Sequence, residues 1–362
     1  MKGRILIFLL LLNTLISRGQ FYNRPFIVRA DMHTGFNIPV YKALGYIIKD
    51  DIFAADISIG FQATGKNYWE KLYNFPTTGA GFSAWSLGNR DILGNAYAVY
   101  GFTSVPFDKD PRRFSLNFKG SAGAAWLPLK FDLKENPLNR AIGSNCNIFI
   151  RLAIEGKYRL SPLCDLIAGA GLAHFSNGKT HSPNYGINTG TVSLGLNYNF
   201  NHNNYIRSDP EIPVPDKKLV HSIFISAGPK VYDNLYGYRY LSATLSYDMG
   251  KNINNLGKAG GGIDLFYDGS IGEALSERGV MEDRLIRLMR AGVHVSYSMR
   301  CNRMSAGLQA GYYLYSKSIV LTSIYNKIFL QYMFTKKIAG NVSIRSHWGK
   351  ADCLEYGVGY IW

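Results

Sequence analysis

The sequence predicts an all-β protein, a transmembrane antiparallel up-and-down β-barrel of about 14 to 16 strands. Three observations support this fold class. An apolar run near the N-terminus is typical of export, and segments of alternating hydrophobicity recur along the chain. The last segment, 354–362, also alternates and ends on the aromatic residue Trp362. The 38 Gly, 25 Tyr and 20 Phe suit tight strands and aromatic girdles better than a helical core.

The N-terminal segment predicts export from the cytoplasm. Lys2 and Arg4 precede the apolar run 5–16, and the small residue Gly19 follows it. This order is that of a cleavable secretory signal, which we place at residues 1–19. No later stretch reaches the roughly 18 apolar residues of a membrane-spanning helix, so we expect strands to cross the bacterial outer membrane.

Alternation with period two is clearest between Cys146 and Phe200, where it predicts three strands joined by a short turn and a longer loop. Each strand has one apolar face and one polar or small face. The apolar faces hold Ile148, Ile150, Leu152 and Ile154, then Leu166, Ala168, Ala170 and Leu172, then Val192, Leu194, Leu196, Tyr198 and Phe200.

A proline-containing polar segment, 202–218, divides the chain into two halves, 20–201 and 219–362. This segment fits a long periplasmic turn within one barrel, or a linker between an eight-stranded barrel and a second β unit. We favour one barrel, because two units would have to repeat closure within a short chain. The segment Tyr41 to Leu87 decides whether the strand number is 14 or 16.

The formal net charge of +15 comes from scattered basic residues in an exported chain. It therefore argues against a nucleic-acid partner and favours phosphorylated lipid headgroups. The four cysteines permit two disulfides in an oxidising compartment. However, Cys146 and Cys164 begin neighbouring antiparallel strands, which places them at opposite ends of the hairpin.

The candidate chemistry lies at the end of the second of the three strands. Period two places His174 and Ser176 on the same, apolar face, where an unpartnered polar group is costly. Neighbours on one face lie within reach of a hydrogen bond, as a serine nucleophile and its base require. Asn188, on the returning strand, shares their parity and is placed to orient the imidazole.

The loop that follows Ser176 contains polar groups that are candidates to stabilise the transition state. We expect Asn177 and Asn184 to donate hydrogen bonds to the developing oxyanion, with Gly178 beside them at the substrate. The turn before this strand is short and the loop after it is long, so we expect the site to face the outer leaflet.

These residues resemble the motif of the lipid A 3-O-deacylase (acyloxyacyl hydrolase) family of outer-membrane barrels. The resemblance covers residues 78–200 and rests on His174-x-Ser176-Asn177 and on Asn184-x-Gly186-x-Asn188. It implies a base at His174, a nucleophile at Ser176, an oxyanion contact at Asn184 and lipid A, the lipid of lipopolysaccharide, as substrate. The family's third member is usually a glutamate, and here that position is Asn188.

The same residues also resemble outer-membrane phospholipase A, whose third member is an asparagine and whose substrate is phospholipid. That enzyme uses calcium, but its calcium-contacting arginine and serine correspond here to Lys179 and Asn184, so we expect no cofactor. A third interpretation is a non-catalytic pore or structural barrel in which His174 and Ser176 only decorate the outer girdle. The oligomeric state cannot be read from the sequence.

Overall fold

A computed structural model describes residues 25–39, 42–109, 113–200, 208–232, 238–277, 279, 285–316, 323–348 and 350–362. The predicted signal 1–19 lies outside these ranges. Within them the chain forms sixteen strands. The strands are β1 Phe26–Asn37, β2 Ile52–Gln62, β3 Thr77–Ser86, β4 Asn95–Pro106, β5 Phe114–Trp126, β6 Cys146–Arg159, β7 Cys164–Ser176, β8 Ile187–Phe200, β9 Leu219–Val231, β10 Arg239–Asn252, β11 Gly257–Asp268, β12 Met289–Cys301, β13 Met304–Ser316, β14 Ile324–Met333, β15 Ile338–His347 and β16 Lys350–Ile361.

The helical elements of the described ranges are short and lie in the connections between strands. They are α1 (Tyr68–Leu72), α2 (Ser270–Ser276) and two 3-10 helices at Lys42–Ile47 and Leu285–Leu288. None of these helices is long and apolar enough to cross a bilayer.

The strands close into two separate barrels of eight strands each. Within each barrel every strand pairs antiparallel with the next one in sequence, and the barrel closes where β8 pairs with β1 and where β16 pairs with β9. The all-β antiparallel barrel class is confirmed, but the single barrel that we favoured is wrong. Eight strands already suffice for closure, since at that number side chains alone fill the lumen.

The lumen of the first barrel is filled by a network of charged side chains. The Arg29 guanidinium donates to the Asp31 carboxylate at 2.6 and 2.7 Å and to the Glu155 carboxylate at 2.7 and 2.9 Å. Buried charges remain stable in this way when each has a close partner of opposite sign. Above the network, Trp85, Phe149 and Phe175 form part of an apolar cluster that fills the rest of the interior.

Charged side chains also occupy the interior of the second barrel, which keeps a cavity of about 260 Å³ towards the segment 213–216. His294 contacts the Asp264 carboxylate at 2.8 Å and the Asp248 carboxylate at 3.4 Å, and Lys230 pairs with Asp268 at 2.7 Å. Neither lumen therefore resembles the aqueous channel of a wide porin, which needs 16 to 18 strands in one barrel. The ion pairs that cross both interiors argue against the pore interpretation.

The outer faces of the strands carry the apolar residues that the alternation predicted. Leu172, Val192 and Leu194 are exposed, whereas their lumen-facing neighbours Ala173, Thr191 and Ser193 are buried. An apolar outer surface around a polar interior is the arrangement of a barrel that stands in a bilayer.

The two ends of the barrels differ in their connections. One end, here called the loop end, carries the connections 127–145 and 177–186 of the first barrel. The opposite end, here called the terminal end, carries the paired residues Phe26 and Phe200 and the C-terminal Trp362. The segment 208–218, which precedes the second barrel, lies at the terminal end, where the Asn255 amide donates to the Pro213 carbonyl at 2.7 Å.

All four cysteines are free. Cys146 pairs with Trp126 near the loop end, whereas Cys164 pairs with Tyr198 near the terminal end. The length of the hairpin therefore separates these two thiols, as the strand pattern predicted.

Candidate active site

The end of β7 places two polar side chains on the outer face of the first barrel. Phe175 points inward and packs on Phe149 and Trp85, with ring centroids 5.2 and 5.6 Å apart. Because side chains alternate along a strand, His174 and Ser176 point away from this core, on the same face as exposed Leu172. Burial of the phenylalanine thus fixes the direction of the two polar groups.

A continuous chain of hydrogen bonds joins these residues to β8. The Nε2 atom of His174 lies 2.9 Å from the Ser176 hydroxyl, and the Nδ1 atom lies 2.6 Å from the Asn188 side-chain oxygen. His174 and Asn188 are direct partners in the β7–β8 ladder. Because an amide oxygen only accepts, Nδ1 carries the proton and Nε2 is left to accept from the serine.

The return of the chain after Ser176 depends on two glycines in the left-handed region. Gly178 has φ +63° and Gly186 has φ +75°. A Cβ atom added to Gly186 would lie 2.9 Å from the His174 Cε1 atom, so the imidazole occupies the space that a side chain would need. The Gly186 N–H donates to the Ala141 carbonyl at 2.9 Å, which fixes this end of the loop to the connection 127–145.

The structure also brings together the polar groups expected at the oxyanion. The Asn177 N–H donates to the Asn184 side-chain oxygen at 3.1 Å, so the amide of Asn184 lies beside the residue that follows Ser176. The Asn177 side chain is buried, and its Nδ2 atom has no hydrogen-bond partner within the described ranges. Leu354 of the second barrel fills the space above Gly178. The sequence around Leu354 gave no indication of this contact.

An apolar groove of about 680 Å³ runs along the outer surface beside the catalytic candidates. The pair Leu172–Gly190 forms part of it and is the next pair on the same face after His174–Asn188. Gly190 is buried at the floor of the groove, where the Phe36 ring lies over it, and neighbouring strands supply the walls, among them Leu152, Ala170 and Val192. Sequence alternation marked these residues as outward but not as a groove, because β1 and β8 meet only on closure.

Two protein-family models match the chain. Residues 55–197 match the family model "Lipid A 3-O-deacylase (PagL)", and residues 220–362 match "Acyloxyacyl hydrolase, C-terminal domain". No curated protein matches the chain. The two matches together cover most of the chain, and they leave out the segment between the two barrels.

Among solved structures the likeness is remote. The crystal structure of Neisserial surface protein A is 13% identical, with a TM-score of 0.34, and covers 48% of this chain and 97% of that one. A mutant of the Rh. blastica porin is 10% identical, with a TM-score of 0.19, and covers 93% of this chain and 99% of that one.

The closed barrels and the family matches define an outer-membrane protein that hydrolyses acyl esters. The chain belongs to the lipid A 3-O-deacylase family, and its broad activity is deacylation of lipid A.

Proposed function

We propose that the chain is a serine esterase that cleaves an acyl ester of lipid A at the lipid-facing surface of the first barrel. The observation that carries this proposal is the unbroken hydrogen-bond chain from Ser176 through His174 to Asn188 on the outward face. In this proposal Ser176 is the nucleophile and His174 is the base. Asn188 positions the imidazole through its side-chain oxygen.

The reaction proceeds through an acyl-enzyme. As the Ser176 oxygen attacks the ester carbonyl carbon, its proton passes to the His174 Nε2 atom. The tetrahedral intermediate collapses, the bond to the sugar oxygen breaks, and the imidazolium returns the proton to that oxygen. Water then attacks the acyl-enzyme with His174 as base again, which releases the fatty acid and restores the serine hydroxyl.

The negative charge of each tetrahedral intermediate needs donors that are already in place. The unpartnered Asn177 Nδ2 atom is one candidate, because a buried donor without an acceptor gains a hydrogen bond when an oxyanion forms. Asn184 is a second, since its contact with the Asn177 N–H engages its oxygen and leaves its NH2 group to donate. Gly178 remains in this proposal as the residue that allows the chain to turn beside the substrate.

The apolar groove supports a substrate that approaches from the bilayer. An acyl chain lying along Leu152 and Leu172 points its ester towards His174 and Ser176, which stand at the next register position. The short turn 160–163 at the terminal end suits the periplasm, so the loop end faces the outer leaflet. Lipopolysaccharide is the lipid of that leaflet, which favours lipid A over phospholipid.

Purified protein incubated with lipid A tests the proposal by mass spectrometry of the lipid and of the released fatty acid. We expect wild type to remove one acyl chain, and Ser176→Ala and His174→Ala to remove none while remaining folded barrels. A parallel incubation with phospholipid, with and without a chelator, identifies a phospholipase of the calcium-dependent kind. Unchanged acylation of lipid A by the wild-type protein would contradict the proposal.

A further inference from the structure

The second barrel touches the first beside the catalytic candidates. The Val231 N–H of β9 donates to the Lys179 carbonyl at 3.2 Å, and Leu354 of β16 packs over Gly178. The Arg239 guanidinium at the start of β10 contacts the imidazole of His181. All three contacts fall on residues 178–181, which follow Ser176 almost directly in the chain.

Exposure along β9 and β16 shows that these contacts are local. Leu354 and Val231 point outward from the second barrel, yet they are only 4% and 1% exposed. Tyr356 and Ile225, which also point outward further along the same strands, are 56% and 61% exposed. The second barrel therefore packs against the first at the loop that carries the candidate site.

A hydrogen-bond chain runs from the candidate site to the second barrel. The Thr180 hydroxyl donates to the Asn177 carbonyl at 3.0 Å, and its oxygen lies 3.2 Å from the His181 Nδ1 atom. Because the hydroxyl proton is already used, Nδ1 donates to that oxygen, and Nε2 is left as an acceptor for Arg239. His181 is therefore a neutral ring that positions the guanidinium of another barrel.

Two positive charges, those of Arg239 and Lys130, act on the His181 ring. Burial and the positive charges of Arg239 and Lys130 lower the pKa of His181, so the ring does not titrate to a second cation at neutral pH. In the part of the chain that the structure describes, Arg239 has no ion pair with a carboxylate. Its side chain is exposed at the loop end, and only one of its donors is used by His181.

We propose that Arg239, oriented by His181, binds a phosphate group of the lipid A headgroup, so that the second barrel completes the substrate site of the first. This inference rests on the proposed function of Ser176. A guanidinium presents parallel N–H groups that match two phosphate oxygens, and such charge-assisted pairs are strong. Lys130 adds a second positive charge nearby, whose field reaches the same ring. The phosphate thereby holds the sugar at the rim while the acyl chain lies in the groove.

Binding is measured first in the Ser176→Ala background, where turnover cannot interfere. The probes are bisphosphorylated lipid A and the same lipid after removal of its phosphates, both in detergent micelles. We expect Arg239→Glu to weaken binding of the phosphorylated lipid about tenfold or more and to leave binding of the dephosphorylated lipid unchanged. The matched control is Lys251→Glu, which makes the same charge change at the other end of β10 and should alter neither.

The positioning role of His181 has its own readout. His181→Ala should weaken phosphate-dependent binding less than Arg239→Glu does. His181→Gln should restore it, because the glutamine oxygen can accept from the guanidinium. In the active enzyme, Arg239→Ala should raise KM for phosphorylated lipid A with little change in kcat.

Equal effects of Arg239→Glu on the two lipids, or no effect on either, would overturn the inference. Phosphate-dependent binding through Arg239 in a protein that never deacylates lipid A would instead reject the proposed function alone. Deacylation that depends on Ser176 but is indifferent to Arg239 would reject only the headgroup site.

Discussion

The side-chain oxygen of Asn188 lies 2.6 Å from the Nδ1 atom of His174, and the two residues are direct ladder partners on the outer face of one barrel. In the lipid-facing site that we propose, a charged carboxylate at this position would stand close to lipid, where burial of an ion is costly. The neutral amide still accepts a hydrogen bond from the imidazole N–H, although it stabilises the imidazolium less than a carboxylate does. The arrangement thus keeps the ring orientation and gives up part of the electrostatic stabilisation.

Replacing Asn188 tests whether orientation of the imidazole matters more here than stabilisation of its positive charge. Asn188→Ala removes the acceptor at Nδ1 and should lower kcat on the order of 10²- to 10⁴-fold, because the imidazole loses its orientation and tautomer. Asn188→Asp keeps an acceptor oxygen in place and should retain activity within about tenfold of wild type. Initial rates of fatty-acid release measure both. Equal loss in the two variants would mean that Asn188 does more than accept a hydrogen bond from the imidazole.

Gly186→Ala should disturb the site without unfolding the barrel. The new Cβ atom would lie 2.9 Å from the His174 ring, at a backbone φ of +75° that side chains disfavour. We expect kcat to fall about tenfold or more as the imidazole is displaced, since misplacement by an ångström can cost far more than that. Gly101→Ala is the matched control, because its nearest neighbour is 3.8 Å away. Heat-modifiable mobility in gels reports folding of both variants, and similar activity in the two would contradict this account.

Gly190→Leu should change the preferred acyl chain. A Cβ atom added at Gly190 would lie 3.3 Å from the Phe36 ring, so the new leucine and the displaced ring narrow the groove beside Leu172 and Val192. We expect kcat/KM for long acyl chains to fall about tenfold, with a smaller loss for short ones, as pocket contacts with methylene groups allow. Ala80→Leu adds the same side chain at an exposed outward position of β3, across the barrel, and should have no effect. An unaltered chain-length profile in Gly190→Leu would show that the groove is not used.

Local patterns in the sequence were sufficient for the strands and for the direction of their side chains. The parity of His174, Ser176 and Asn188 predicted one shared face. In the structure His174 lies within hydrogen-bond distance of both Ser176 and Asn188. The separation of Cys146 and Cys164 followed from the same pattern. These features depend on neighbours in one hairpin, which is the range that alternation reports.

Features that depend on closure and on contacts between distant strands could not be read in this way. Alternation is the same whether sixteen strands form one barrel or two, and the answer lies in the pairing of β8 with β1. The packing of Leu354 on Gly178 joins residues far apart in sequence, and so does the contact of Arg239 with His181. The amino-acid types in these two pairs are common on the outer face and at the rim of any barrel, so the sequence does not single them out.

Covalent labelling of the purified enzyme with a fluorophosphonate, followed by peptide mass spectrometry, tests the central claim most directly. A serine whose proton is accepted by His174 should react, so we predict one adduct on Ser176 and loss of lipid A deacylation in proportion to labelling. The variant His174→Ala should remain unlabelled. An enzyme that deacylates lipid A while its adduct lies on another residue, or while Ser176 stays unmodified, would contradict the account.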